Sequence, residues 1–145
     1  MGSRDVLANR GGAAATTRIV VAKAVAGRAR ASAVRRETSQ VHGGLAYVSG
    51  LLPVTPRGDK LVDSPFAQQA ACVLDNLDAI LRASGSSPSR VISCRVYVDD
   101  VENWPEFNRL YAAYFGGHKP ARAVVPVPGL HYGLKLELEA IATCD

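Results

Sequence analysis

Residues 119–142 read KPARAVVPVPGLHYGLKLELEAIA, and this stretch decides how the rest of the chain is read. Residues 123–127 are apolar, begin directly after Arg122 and have the composition of a short strand. Residues 128–133 form a Pro/Gly-rich connection. The second half alternates strictly. Leu134, Leu136, Leu138 and Ala140 share one face, and Lys135, Glu137 and Glu139 share the other. So continuous a leucine face predicts sheet surface buried beyond one subunit. The pattern also predicts one guanidinium and one or two carboxylates on adjacent β elements. A fixed guanidinium takes a carboxylate through two parallel hydrogen bonds. A nearby carboxylate can activate a water. The plain alternative is a surface ion pair, worth about 0–1 kcal/mol.

Working outward, residues 64–85 read as a helix. Phe66, Ala70, Val73, Leu74, Leu77, Ile80 and Leu81 fall on one helical stripe. Ser64 is placed to cap it, Pro65 to open it and Gly85 to end it. Residues 90–98 read as a strand with Ile92, Cys94, Val96 and Val98 on one face. A second helix follows, with Asn103 as cap, Phe107, Leu110, Tyr111, Tyr114 and Phe115 as its buried side, and Gly116-Gly117 as its stop. Upstream, Gly43-Gly44 punctuates two strands, near 33–41 and 45–49, and residues 53–63 form a hairpin-like excursion. The order ββ(β)αβαββ predicts an α+β sandwich, a mixed β-sheet with two helices on one face.

The 145-residue chain is long enough for one core, and with 48% hydrophobic against 21% charged residues it is not a disordered composition. No apolar run has the length of a membrane span. Cys72, Cys94 and Cys144 have no metal-ligand spacing, so we expect a reducing, cytoplasmic setting with no metal and no structural disulfide; Cys72 and Cys94 read as small core residues. His42 and His118 fall in turns with nothing to make them ligands. The net charge of +4 is uneven. Residues 1–36 hold eight basic residues and one acid, so the remainder carries −3, which argues against a nucleic-acid-binding face there. The expected organisation is a basic, weakly ordered extension over 1–32 and a domain over 33–145.

Four stretches, in order, resemble the RidA (YjgF) family of enamine/imine deaminases. They are residues 45–54, LAYVSGLLPV; residues 107–115, FNRLYAAYF; residues 118–122, HKPAR; and residues 136–142, LELEAIA. The resemblance covers about two thirds of the chain. It implies the chorismate-mutase-like fold, a homotrimer with sites in clefts between subunits, and a small-molecule 2-imino or 2-enamino carboxylate as substrate. It implies hydrolysis to a 2-keto acid and ammonia without a cofactor. Arg122 would bind the substrate carboxylate, and Glu137 would handle the attacking water. Ser49, Gly50 and Val124 would line the pocket through their backbones, and Asn108 would face the cleft.

The departures from the family pattern matter for specificity. Thr38 stands before Ser39-Gln40 where the family has tyrosine. Leu51 follows Gly50 in place of glutamine, Val124 stands in place of a cysteine, serine or threonine, and Pro126 replaces a charged residue. Each makes the pocket more apolar, which implies a larger or less polar substrate in a specialised biosynthetic pathway. Leu51 joins the substrate-binding set on this ground, and Tyr132, with His131, is placed in the last loop to supply the missing polar edge. The rival reading is a non-catalytic carboxylate-binding or regulatory protein of the same family. A ribonuclease would need paired acid/base groups and a basic groove, which the scattered His42, His118 and His131 do not supply.

Overall fold

The computed structural model describes residues 16–22 and 37–145. Six strands form one mixed sheet, β1 (Arg18–Ala22), β2 (Glu37–His42), β3 (Leu45–Leu51), β4 (Val91–Val98), β5 (Ala121–Pro126) and β6 (Leu136–Thr143), in the order β1-β2-β3-β6-β4-β5. Neighbours are antiparallel except β4 and β5, which run parallel and are joined through a helix, as parallel strands require. The helices are α1 (Phe66–Ala83) and α2 (Trp104–Phe115). Residues 18–22, expected within the basic extension, pair as β1 with β2 at the sheet's edge. Residues 1–15 and 23–36, which hold the rest of that extension and the expected start of the strand near 33–41, lie outside the described residues.

One core cluster joins α1, α2 and one face of the sheet. The α1 stripe is buried as its spacing predicts. Alternation in β6 is complete, with Leu136, Leu138, Ala140 and Ala142 buried and the residues between them half-buried. Leu136 and Leu138 are thus fully covered by the chain's own helices, and Leu134 packs with Leu52 and Val54. The leucine face therefore offers nothing to a second copy. The reason is that the helices claim it first.

Several local expectations are corrected. A register shift between Val91 and Ser93 puts Val91 in the core and leaves Ile92 exposed, because a bulge inverts the alternation behind it. Ser64 makes no side-chain cap; Pro65 occupies the cap position of α1 with extended ψ. Capping before α2 falls to Asp100, whose carboxylate accepts from the Glu102 amide at 2.9 Å and starts a short 3-10 turn, so Asn103 already has helical angles and no cap bond. Cys72 is only half-buried, whereas Cys94 and Cys144 are both buried in the core.

Candidate active site

Gly116 ends α2 with φ +60°, a left-handed turn suited to glycine, and the chain returns as β5. The parallel register sets Arg122 beside Cys94 and Val124 beside Val96. Cys94 and Val96 are buried under the helices, so Arg122 and Val124 lie on the helix side of the sheet. There Arg122 Nη1 donates to Asn108 Oδ1 at 3.1 Å. Its guanidinium carbon lies 4.5 Å from the Trp104 ring centre and 4.6 Å from that of Tyr111. Trp104, Asn108 and Tyr111 are spaced i, i+4, i+7 and so share one stripe of α2. The neighbouring cation, Arg109, is already paired with Glu106 at 2.8 Å. Among the described residues no carboxylate pairs with Arg122, which leaves its guanidinium available to an anionic ligand.

The thiol in this neighbourhood is not a nucleophile. Burial pushes Cys94 up to about 11, so it is protonated at neutral pH. Burial likewise raises Tyr111, whose hydroxyl sits against Cys94 and has no nitrogen or oxygen partner. What this side of the sheet presents is a charged planar donor on an aromatic and amide bed.

Glu137 lies on the other side. Its strand neighbours Leu136 and Leu138 are buried, so Glu137 points to the open sheet face, in register with Tyr97. β3 has an irregularity between Val48 and Leu51 that brings Gly50 against Glu137. A methyl group at Gly50 would collide with Glu137 Oε1, so the close approach itself requires glycine. Gly50→Ala is therefore expected to displace the Glu137 carboxylate from this position. A structure of the variant checks this, and an unmoved carboxylate would show that glycine is not needed there.

Two buried amides on α1 hold these strand ends. Gln69 accepts from the Lys135 amide at 3.0 Å and donates to the Ser64 carbonyl at 3.1 Å. Asn76 donates to the carbonyls of Leu52 and Val54 at 3.2 and 3.0 Å. Lys135 is two residues before Glu137, and Leu52 two after Gly50, so α1 sets the meeting of β3 and β6. Beside Gly50, Ser49 donates to the Thr38 carbonyl at 2.8 Å and accepts from the Thr38 hydroxyl at 2.6 Å. Thr38, in the place of the expected tyrosine, is thus tied to β3. Glu139 is occupied, receiving Arg95 at 3.0 Å and the Tyr97 hydroxyl at 3.1 Å.

The expected adjacency of Arg122 and Glu137 is not what the fold builds. β4 stands between β5 and β6, so the two strands are two spacings, roughly 10 Å, apart; Arg122 is level with Cys94 and Glu137 with Tyr97, three residues or roughly 10 Å further along, and the two side chains occupy opposite faces. The grouping that does form on one chain is Arg122, Asn108 and Val124 on the helix side, and Ser49, Gly50 and Glu137 on the open side. Leu51 belongs to neither, since it is fully buried in the core and offers no side chain to a ligand. Tyr132 is exposed at the end of the last loop, left-handed at φ +63°, with Lys60 Nζ 4.4 Å above its ring. A depression of about 520 Å³ lies on the open face over β2 and β3, with Thr38, Gln40, Tyr47 and Ser49 in its wall, and Arg122 does not line it. Trp104, Gln69 and Asn76 were not singled out from the sequence. The available signals were a lone tryptophan at helical spacing from Asn108 and Tyr111, and amides interrupting an apolar stripe.

Among the described residues no group of three potential ligands could hold a metal ion, and no helix is long and apolar enough to cross a membrane. Residues 28–144 match the family model described as Endoribonuclease L-PSP. The chain belongs to this family, that of RidA (YjgF). Protein HMF1 of Saccharomyces cerevisiae is 44% identical over 98 residues, which cover 68% of this chain and 75% of HMF1. The 2-iminobutanoate/2-iminopropanoate deaminase of Rattus norvegicus is 38% identical over 96 residues, covering 66% of this chain and 70% of the rat protein. A crystal structure of E. coli TdcF with bound serine matches with a TM-score of 0.66 at 33% identity, covering 71% of this chain and 83% of that one. The mixed sheet with two helices on one face is the fold of this RidA-family member.

Proposed function

We propose that this RidA-family chain hydrolyses 2-imino acids, and the enamines in equilibrium with them, to 2-keto acids and ammonia. The observation that carries this reading is the division of Arg122 and Glu137 between opposite sheet faces. Arg122 is bonded to Asn108 on one side and Glu137 lies against Gly50 on the other, yet one chain cannot bring them to one substrate. A site between copies would use Arg122 of one chain and Glu137 of another. The open face supports such packing, because it exposes Ile19, Val21 and Tyr47 alongside the Arg95, Tyr97 and Glu139 group. A homotrimer is the assembly we propose.

In the reaction, Arg122 takes the substrate carboxylate while Asn108 fixes its fork. Glu137 accepts a proton from a water as the oxygen adds to the electrophilic imine carbon. Glu137 passes that proton to nitrogen, giving the 2-hydroxy-2-amino acid; it then takes the new hydroxyl's proton and delivers it to the same nitrogen as the C–N bond breaks, so that ammonia leaves and the carbonyl forms. Positioning and one general base suffice, so no cofactor enters. Val124 beside Arg122, and Pro126 beyond it, make the helix-side wall apolar, which favours a larger apolar side chain and a role in a specialised pathway; Leu51, buried in the core, does not reach that wall.

The test is ammonia release from imines generated in situ by an amino acid oxidase. Release should exceed the buffer rate for both alanine- and leucine-derived imines, with the larger kcat/KM for leucine. Light scattering at micromolar concentration should give three times the chain mass. A monomer would remove the shared site, and no acceleration would refute the deaminase. A second reading, a carboxylate-binding module, is favoured by one feature: the Arg122 bed is complete on a single chain without Glu137. It predicts ligand binding with no turnover.

A further inference from the structure

Arg122 is an exposed side chain on an edge strand, held by one hydrogen bond to Asn108. One bond to one nitrogen leaves the guanidinium plane free to turn. The two rings constrain it further. Its carbon lies 4.5 Å from the Trp104 ring centre and 4.6 Å from that of Tyr111, within the range of a cation–π contact. The rings are themselves anchored, because Tyr111 is buried and tilts against Phe107 and Phe115, with centroids 5.6 and 4.5 Å away, and Trp104 packs on the core. Phe107 is fully buried, so the platform cannot shift without disturbing the core.

We infer that Trp104 and Tyr111 are positioning residues, an aromatic platform that orients the Arg122 guanidinium so that its remaining N–H edge meets a carboxylate. The inference rests on the carboxylate-anchoring role of Arg122. It carries a consequence for measurement. Trp104 is the chain's single tryptophan, so its emission reports one place only, the surface under Arg122. A carboxylate that draws charge from the guanidinium changes the field at that ring.

The test uses the full chain and pyruvate, a 2-keto acid of the product class. Pyruvate should change tryptophan emission saturably, with the same midpoint found by calorimetry. Trp104→Leu should raise the pyruvate Kd roughly tenfold, and Trp104→Phe should recover most of that loss, since a ring is kept. A series of fluorinated tryptophans at position 104 weakens the negative ring face without changing its shape, and Kd should rise with fluorine content. This series keeps the idea testable if Trp104→Leu melts without cooperativity. Wild-type affinity in Trp104→Leu, a flat fluorine series, or pyruvate saturation with no emission change would each overturn the platform. Because the readout is binding, failure of imine hydrolysis alone would refute the deaminase reading and leave the platform standing. Failure of wild-type protein to bind pyruvate would overturn both.

Discussion

Glu137→Gln is expected to cut ammonia release from a 2-imino acid by roughly 100-fold or more, the usual size of a general-base contribution. Glutamine keeps the shape against Gly50 and loses the proton acceptor. Pyruvate binding should stay within about twofold of wild type, because the proposed carboxylate anchor is Arg122 and not Glu137. Glu139→Gln is the control on the same strand face. Its carboxylate serves Arg95 and Tyr97 at a partly exposed position, and loss of such a pair costs at most about 1 kcal/mol. Its effect on turnover should be small. Full hydrolysis in both variants, with ligand binding intact, would end the catalytic assignment and leave the binding module as the better account.

Arg122→Lys is expected to weaken pyruvate binding roughly 10- to 100-fold, the range for losing charge-assisted bonds at an oriented site. The substitution keeps the charge. It loses the planar fork, the geometry of the 3.1 Å bond to Asn108 and the flat contact with Trp104 and Tyr111. Turnover should fall with binding, since a misoriented carboxylate carries the imine carbon away from its water. Calorimetry distinguishes this from an ordinary surface cation. An unchanged Kd would mean that charge alone suffices and that the bed of α2 is only packing.

Much of the fold was legible before any coordinates. The α1 stripe from Phe66 to Leu81 and the strict alternation around Leu136 and Leu138 are local periods, and both are buried as read. The roles of Gln69 and Asn76 were not legible, because a buried amide and an exposed one look the same in a helical pattern until the chain they bond is known. Asn103 and Ser64 were read as caps from residue type, but capping depends on backbone angles that the following turn imposes. Strict alternation puts Ile92 on the core face, but one bulge, invisible as composition, inverts the strand's phase and leaves it exposed.

The sequence by itself determined where the two helices and the central strands fall, which side of each is apolar apart from the start of β4, and that an arginine and two glutamates lie on β elements. It also carried enough of the RidA pattern, from residue 45 onward, for the family to be recognised. Only the tertiary structure decided that β4 inserts between β5 and β6, that Arg122 faces the helices while Glu137 faces away, and that the leucine face is already covered. The physical reason is one of range. Periodicity records which side of an element avoids water, a property of neighbouring residues. Strand order and the facing of one strand relative to another follow from pairings between segments far apart in sequence, and those are set by how the whole core closes.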